Sequence, residues 1–228
     1  MYFIPQLLTN RFVRHHISTK EEGNMSYVYG EREEVLANRK KFFTDIRIPT
    51  ERAIIIGVQH GTKIIEASSS LGGTGFNSEA SAIKADAIIT REKNLAVALL
   101  TADCIPAIFF DRPNGVLCLA HLSRRNTEEK FAQIIISYFR REFDTNLHEL
   151  KVFMGPSIKK ESYILEDYPQ GYDLTGENSK QLLLKGVRDE NIVIDPTDTG
   201  SDSNFFSHYR DSRNKEVEGR FITTTMLT

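Results

Sequence analysis

The sequence predicts an α/β or α+β fold for residues 1–228 taken as one unit. Three observations lead there. Short apolar runs rich in Val and Ile recur along the chain, only three segments carry a helical period, and no repeat, low-complexity block or linker divides the sequence. A chain of this length buries about 70% of the surface its unfolded form exposes, so it needs no disulfide staples. With 40% hydrophobic and 26% charged residues it is neither a disordered chain nor a coiled coil.

The elements follow in order. The opening MYFIPQLLTNRFVRHH is interrupted by Pro5 and Asn10 and lacks the basic and long apolar regions of a secretory signal. Arg14-His15-His16 reads as a polar strand end. Residues 31–46 read as a helix, with Val35, Leu36, Phe42, Phe43 and Ile46 on one side and Pro49 limiting the far end. Residues 53–58 and 62–66 read as strands around Gln59-His60-Gly61. The Ser- and Gly-rich stretch 68–81 reads as a mobile surface loop. Residues 86–90 and 95–100 are further strands. IPAIFFD and GVLCLAH flank a hairpin turn at Arg112-Pro113-Asn114-Gly115. These runs are almost continuously apolar, which predicts a sheet covered on both faces. A helix is expected over 127–142, its buried stripe made by Phe131, Ile134, Ile135, Tyr138 and Phe139, with Asn126 and Glu129 at capping-box spacing. A strand at 150–154, a helix at 176–185 stopped by Gly186, and strands near 191–195 and 220–226 complete the chain.

The net charge of −2 provides no field to hold a nucleic-acid backbone. No run reaches the ~20 apolar residues of a membrane helix. Two cysteines in apolar stretches, Cys104 and Cys118, fit a reduced, cytoplasmic protein.

His60, Cys104 and His121 each fall at or just past the end of an expected strand, where α/β folds place chemistry. One thiolate and two imidazoles make three zinc ligands and leave a fourth position open, as in catalytic zinc sites. The same residues also read as two polar turn histidines and a small buried cysteine. The spacing alone leaves both readings open.

A wider pattern surrounds these three. Ala85-Asp86-Ala87-Ile88-Ile89-Thr90, Leu99-Leu100-Thr101-Ala102-Asp103-Cys104-Ile105-Pro106, Phe110-Asp111 and Leu119-Ala120-His121 occur in order. So do Asn38-Arg39, His60-Gly61, Met154-Gly155-Pro156-Ser157-Ile158, Asp173-Leu174, Phe206-Ser207-His208-Tyr209-Arg210 and Gly219-Arg220. This pattern, over about residues 23–224, resembles the YfiH-like family. These proteins were once called laccase-domain or polyphenol oxidase proteins and are now associated with purine nucleoside phosphorylase and adenosine deaminase activity. The resemblance implies an α+β domain layered α/β/β/α with mixed β-sheets. It implies Zn2+ held by His60, Cys104 and His121. It also implies a purine nucleoside, such as adenosine or inosine, and inorganic phosphate as substrates. Where the family has His-Ala-Gly-Trp-Arg-Gly, this chain has His121-Leu122-Ser123-Arg124-Arg125-Asn126, which keeps the ligand and one Arg and loses both Gly and the Trp.

Arg39, Arg125 and Arg210 lie in matching stretches and are expected to form an anion pocket, since guanidinium groups suit phosphate. Asp103 is expected either to support the metal site or transfer a proton, or else to cap a turn. Cys118, His148, His208 and the pair Lys159-Lys160 read as packing, surface, structural and solvated residues. Two alternatives remain. One is a metal-free hydrolase with Cys104 as nucleophile and His121 as base. The other is a non-catalytic binding member of the family. Several copper ions would need more ligands than one Cys and a few scattered His supply.

Overall fold

The computed structural model describes residues 12–228, so the break at Pro5 and Asn10 read from the sequence lies outside the described residues. Ten strands form two mixed sheets. The smaller has the order β1-β10-β5-β2, made of Val13–Ile17, Phe221–Leu227, Ala96–Thr101 and Ala53–Ile55. The larger has the order β3-β4-β7-β6-β8-β9, made of Ile64–Glu66, Ala87–Thr90, Val116–Leu122, Ile105–Asp111, Lys151–Met154 and Ile192–Ile194. Among the named strands, β2/β5, β3/β4 and β8/β9 pair in parallel and the other pairs are antiparallel.

The continuous apolar runs are resolved by the pleat. In β6, Ala107 and Phe109 face one core while Ile108 and Phe110 face another; in β7, Cys118 and Ala120 oppose Leu117 and Leu119 in the same way. The Leu117/Leu119 side meets Val97 and Leu99 of β5, so the two sheets pack face to face. The outer face of the large sheet is covered by α3 (Phe131–Phe143) and α4 (Leu174–Leu184). The outer face of the small sheet is covered by α1 (Arg32–Asp45), whose Phe42 and Phe43 are fully buried and contribute about 1.5–3 kcal/mol each. The result is the α/β/β/α layering that the family resemblance implies, within the α+β class.

Several local expectations are corrected. The helix over 127–142 is two helices, α2 (Arg124–Glu128) and α3, separated by Lys130 at φ 62°. The capping box belongs to Ser123 and Asn126, one turn earlier than expected. Ile136 rather than Ile134 is buried, so the buried stripe of α3 runs Phe131, Ala132, Ile135, Ile136 and Phe139. Arg14-His15-His16 lies within β1, mostly buried, rather than at a strand end. A fifth helix, α5 (His208–Asn214), was not foreseen. Lys159 is half-buried and donates to Ser157 Oγ at 3.1 Å.

The stretch 68–81 is tied down rather than free. Gly73 N donates to Ala53 O and Ile55 N to Thr74 O, so the segment covers the edge of β2. Phe76 is buried edge-on against Phe43, with ring centroids 5.3 Å apart. The glycines there serve close approach: a Cβ on Gly75 would stand 2.0 Å from Ile55 O.

Candidate metal centre

The site forms at one rim of the large sheet. His121 lies near the end of β7, opposite Pro106 of β6. Cys104 lies in the short turn between β5 and β6. His60 arrives from the turn after β2, with φ 57°. The donor atoms of these three side chains all lie within 4.8 Å of one another. The imidazoles of His60 and His121 meet edge to face, with centroids 4.8 Å apart.

Asp86, fully buried just before β4, organises the ligands. Its Oδ1 accepts from Gln59 N at 3.1 Å and His60 N at 2.8 Å, and lies 2.9 Å from His121 Nδ1. Its Oδ2 accepts from Gly61 N at 2.9 Å. Burial alone would raise this carboxyl, but His121 and the backbone N–H groups of Gly61 and Gln59 hold it below the usual carboxylate range. With Nδ1 engaged, His121 presents Nε2 to the site, the arrangement usual for a metal-ligating histidine. Asn126 Nδ2 bridges Gly61 O and His121 O, tying the two ligand segments together.

Cys104 and His121 perturb one another. Burial opposes ionisation of the thiol, but His121 and His60 beside it pull its pKa down. Burial likewise opposes the imidazolium, but Cys104 and Asp86 draw His121 up. A thiolate and two imidazoles, one braced by a carboxylate, make a donor set that fits a borderline-soft divalent ion. Cys118 is different: it is buried among apolar neighbours, which pushes its thiol up.

The three donors line a cavity of about 390 Å³, within the ~300–1,000 Å³ range of small-molecule sites. Its rim is cationic: Arg124, Arg125, Arg213 and Arg220 all line it. Tyr163 and Tyr209 form an aromatic wall, with rings perpendicular and centroids 5.5 Å apart. His208 also lines the cavity, with Nδ1 2.7 Å from Glu218 Oε2.

Two of the three expected anion-binding arginines lie elsewhere. Arg39 is 1% exposed and spends its donors on Met25 O, Gly75 O and Phe76 O, all at 2.8 Å. Its guanidinium also lies over the Tyr27 ring, and burial draws its pKa down to about 10. Arg210 donates to Thr199 O, Asp202 O and Phe205 O and pairs with Asp211. Both are clamps on backbone carbonyls, and neither lines the cavity. Only Arg125 lines it, with its Nε 3.5 Å from Glu129. Asp103 does line the cavity, but Thr199 Oγ1 donates to its Oδ1 at 2.8 Å and Tyr209 N to its Oδ2 at 2.7 Å. Burial pushes its carboxyl up.

Asp86, Tyr163, Arg213 and Arg220 were not named as site residues from the sequence. Asp86 carried a signal, a lone carboxylate at the head of an apolar strand; Arg213, on an exposed helix, carried none.

A family model described as multi-copper polyphenol oxidoreductase laccase matches residues 8–170 and 166–228. The chain belongs to this family. Among curated relatives, a purine nucleoside phosphorylase of Staphylococcus saprophyticus is 26% identical over 226 residues, covering 85% of each chain. The purine nucleoside phosphorylase YlmD of Geobacillus stearothermophilus is 27% identical, covering 81% of this chain and 77% of its own. The crystal structure of that YlmD superimposes with a TM-score of 0.88 at 25% identity, over 94% of this chain and 92% of that one. The Bacillus licheniformis protein YfiH superimposes with a TM-score of 0.89 over 99% of this chain and 100% of its own; at 21% identity it shows the shared fold. The family description speaks of several copper ions. Among the described residues, the only group of three or more such donors is His60, Cys104 and His121, which suits one ion.

Proposed function

We propose that this chain is a zinc-dependent purine nucleoside phosphorylase, acting on adenosine or inosine with inorganic phosphate. The observation that carries the reading is the convergence of His60, Cys104 and His121 on a nucleoside-sized cavity with a cationic rim. The names of the curated relatives supply the substrate class.

His60 and His121 nitrogens and the Cys104 thiolate would hold the ion. When bound, zinc supplies Lewis-acid stabilisation of charge developing beside it. The protein does the rest. Asp86 fixes the His121 ring and the His60 backbone, so two donors are oriented before substrate arrives. Arg125 and Arg220 offer guanidinium donors that suit the phosphate oxygens. In phosphorolysis a phosphate oxygen bonds to the sugar C1′ as the C1′–N9 bond breaks. The electron pair leaves on the purine, which takes up a proton. Asp103 acts as a positioning residue: its carboxylate ties the Cys104 turn to Thr199 and to α5.

The resemblance also implies deamination of adenosine, and one experiment separates the activities. The purified protein, with and without zinc, is incubated with adenosine or inosine, with and without phosphate, and products are resolved by chromatography. Free base formed only with phosphate, and lost on chelation, supports phosphorolysis; inosine formed from adenosine without phosphate supports deamination. Absence of any product with the zinc-loaded protein would overturn the reading.

The mutual perturbation of Cys104 and His121 favours a second reading, a metal-free thiolate–imidazolium pair with Cys104 as nucleophile. Activity that survives chelation but not alkylation of Cys104 would replace the metal reading with this one. Among the described residues no helix is long and apolar enough to cross a membrane, and both cysteines are free.

A further inference from the structure

In phosphorolysis the departing purine takes up a proton, and the residues that hold the ion leave open which group supplies it. The cavity lining offers few candidates. His60, Cys104 and His121 are committed to the ion. Asp103 has Oδ1 engaged by Thr199 Oγ1 and Oδ2 by the Tyr209 N–H. Tyr209 Oη donates to Ile164 O, and Ser212 Oγ donates to His208 O. Burial pushes the Tyr163 phenol up, so it holds its proton. The Thr101 hydroxyl and the guanidinium groups do not release protons near neutral pH. Among the described residues that line the cavity, His208 is the one imidazole outside the ligand set.

The backbone of His208 is fixed relative to the metal centre. It is the first residue of α5, whose start is pinned by Arg210 N donating to Ser207 Oγ at 3.1 Å and Ser207 N donating to Asp211 Oδ2 at 2.9 Å. The next residue, Tyr209, is bonded through its N–H to Asp103, which directly precedes Cys104. The ring is oriented as well. A carboxylate only accepts, so Nδ1 carries the proton in its 2.7 Å bond to Glu218 Oε2, and Nε2 is turned to the other side. Glu218 is brought there by a close crossing of chains: a Cβ on the neighbouring Gly219 would stand 2.5 Å from the Phe206 ring. When the ring carries both protons, Glu218 neutralises the charge and Nε2–H is the donor left over. The side chain is 57% exposed, so solvent can return a proton to it after each turnover.

We infer that His208, braced by Glu218, is the general acid that protonates the purine as it leaves. The inference rests on the phosphorolysis reading of the cavity and assigns a step that reading leaves without a residue. As the C1′–N9 bond breaks, its electron pair spreads over the five-membered ring of the purine. The His208 Nε2–H bond breaks and an N7–H bond forms, so the base departs neutral and the imidazolium becomes a neutral imidazole. The contact is the same for adenosine and inosine, because both present N7 as an acceptor.

The full chain, zinc-loaded, is assayed with phosphate on inosine and on 7-methylinosine, whose substituted N7 lets the base leave without taking a proton there. Parent, His208→Ala and Glu218→Gln are compared, with melting temperature and zinc content measured on each. His208→Ala should lower kcat on inosine by about 100-fold or more and on 7-methylinosine by no more than about threefold. Glu218→Gln should show a smaller loss with the same selectivity. A second readout needs no turnover. By calorimetry the parent should bind hypoxanthine about tenfold more tightly than 7-deazahypoxanthine, which lacks the N7 acceptor, and His208→Ala should lose that preference. A merely structural role lowers cleavage of both nucleosides alike, and equal losses overturn the inference. So does undiminished cleavage of inosine, or a base preference that His208→Ala keeps. If the parent cleaves both nucleosides and the variants show no selectivity, phosphorolysis stands without this residue. If the parent cleaves neither, phosphorolysis fails and the proton step with it, and a base preference that depends on His208 would reduce the residue to a binding contact.

Discussion

Replacing Asp86 by Asn tests whether one carboxylate organises the metal centre. In the parent, Oδ1 serves three donors and Oδ2 serves Gly61 N. An Asn with its carbonyl oxygen at the Oδ1 position must aim its NH2 at the Gly61 N–H, donor against donor. One charge-assisted bond is lost, worth about 1.5–3 kcal/mol, and the other three are weakened because their acceptor is neutral. The expected destabilisation is about 2–4 kcal/mol, or about 5–15 °C in melting temperature for a chain of this size. The His121 ring also loses its anionic partner, so zinc affinity should fall about 10–100-fold in competition with a chromophoric chelator. The pH dependence has a definite sign. Asp86 is held below its unfolded value of about 3.9, so its contribution is present above that pH and is lost as pH falls through its folded value. The gap between parent and Asp86→Asn should therefore be full at neutral pH and narrow below about pH 4. Unchanged zinc affinity, or a gap in melting temperature that does not vary between neutral and acid pH, would refute the reasoning.

Three further perturbations follow from the same structure. Arg39→Ala should strand the buried carbonyls of Met25, Gly75 and Phe76, lowering stability by about 3–5 kcal/mol while zinc stoichiometry stays at the parent value; a variant that melts like the parent but needs more phosphate would return Arg39 to the anion site. Gly75→Ala, at φ 75° and with a Cβ forced to 2.0 Å from Ile55 O, should lower the urea midpoint by the equivalent of about 3 kcal/mol or more, and an unshifted midpoint would show that the 68–81 segment is free after all. In zinc-free protein at neutral pH, iodoacetamide should modify Cys104 well before Cys118, and zinc should protect Cys104; equal labelling of both in the native state would contradict the environments described for them.

What could be read from the sequence, and what could not, divides along physical lines. Strands β4 to β8 were legible because Val, Ile, Leu and Phe runs bounded by turn residues have few other uses, and their unbroken apolar character announced two covered faces. The break at Lys130 was not legible, because a left-handed lysine leaves no mark in composition and the polar α2 stretch before it carries no apolar period of its own. The three candidate donors stood out as rare residue types at strand ends, although only the family resemblance favoured a metal over a turn or packing role for them. Arginine roles were not. Arg39, Arg125 and Arg210 all sit in matching stretches, yet the partners that decide their roles are backbone carbonyls in two cases and a neighbouring glutamate in the third. Every residue carries a carbonyl, so a sequence cannot show which of them a guanidinium will find. The 68–81 segment misled for a related reason: its glycines permit close approach to β2, and composition alone equates them with freedom of motion.

The ligand-bearing turns share a further property that ties the fold to the chemistry. His60 has φ 57°, and Asp103, immediately before Cys104, has φ 88°. Neither is glycine, and such conformations cost of order 1–3 kcal/mol each unless their surroundings impose them. Each is imposed by a buried carboxylate. Asp86 accepts the backbone N–H groups of Gln59, His60 and Gly61 and so holds the first turn. Asp103 holds the second through its own side chain, bonded to Thr199 and Tyr209, while its carbonyl accepts from Ile158 N at 2.9 Å. The strain is thus offset by bonds to elements from distant parts of the chain, which form only once both sheets and α5 are in place. The donors of the site are brought together by the completed tertiary structure, with no local sequence motif that would hold them in an isolated segment.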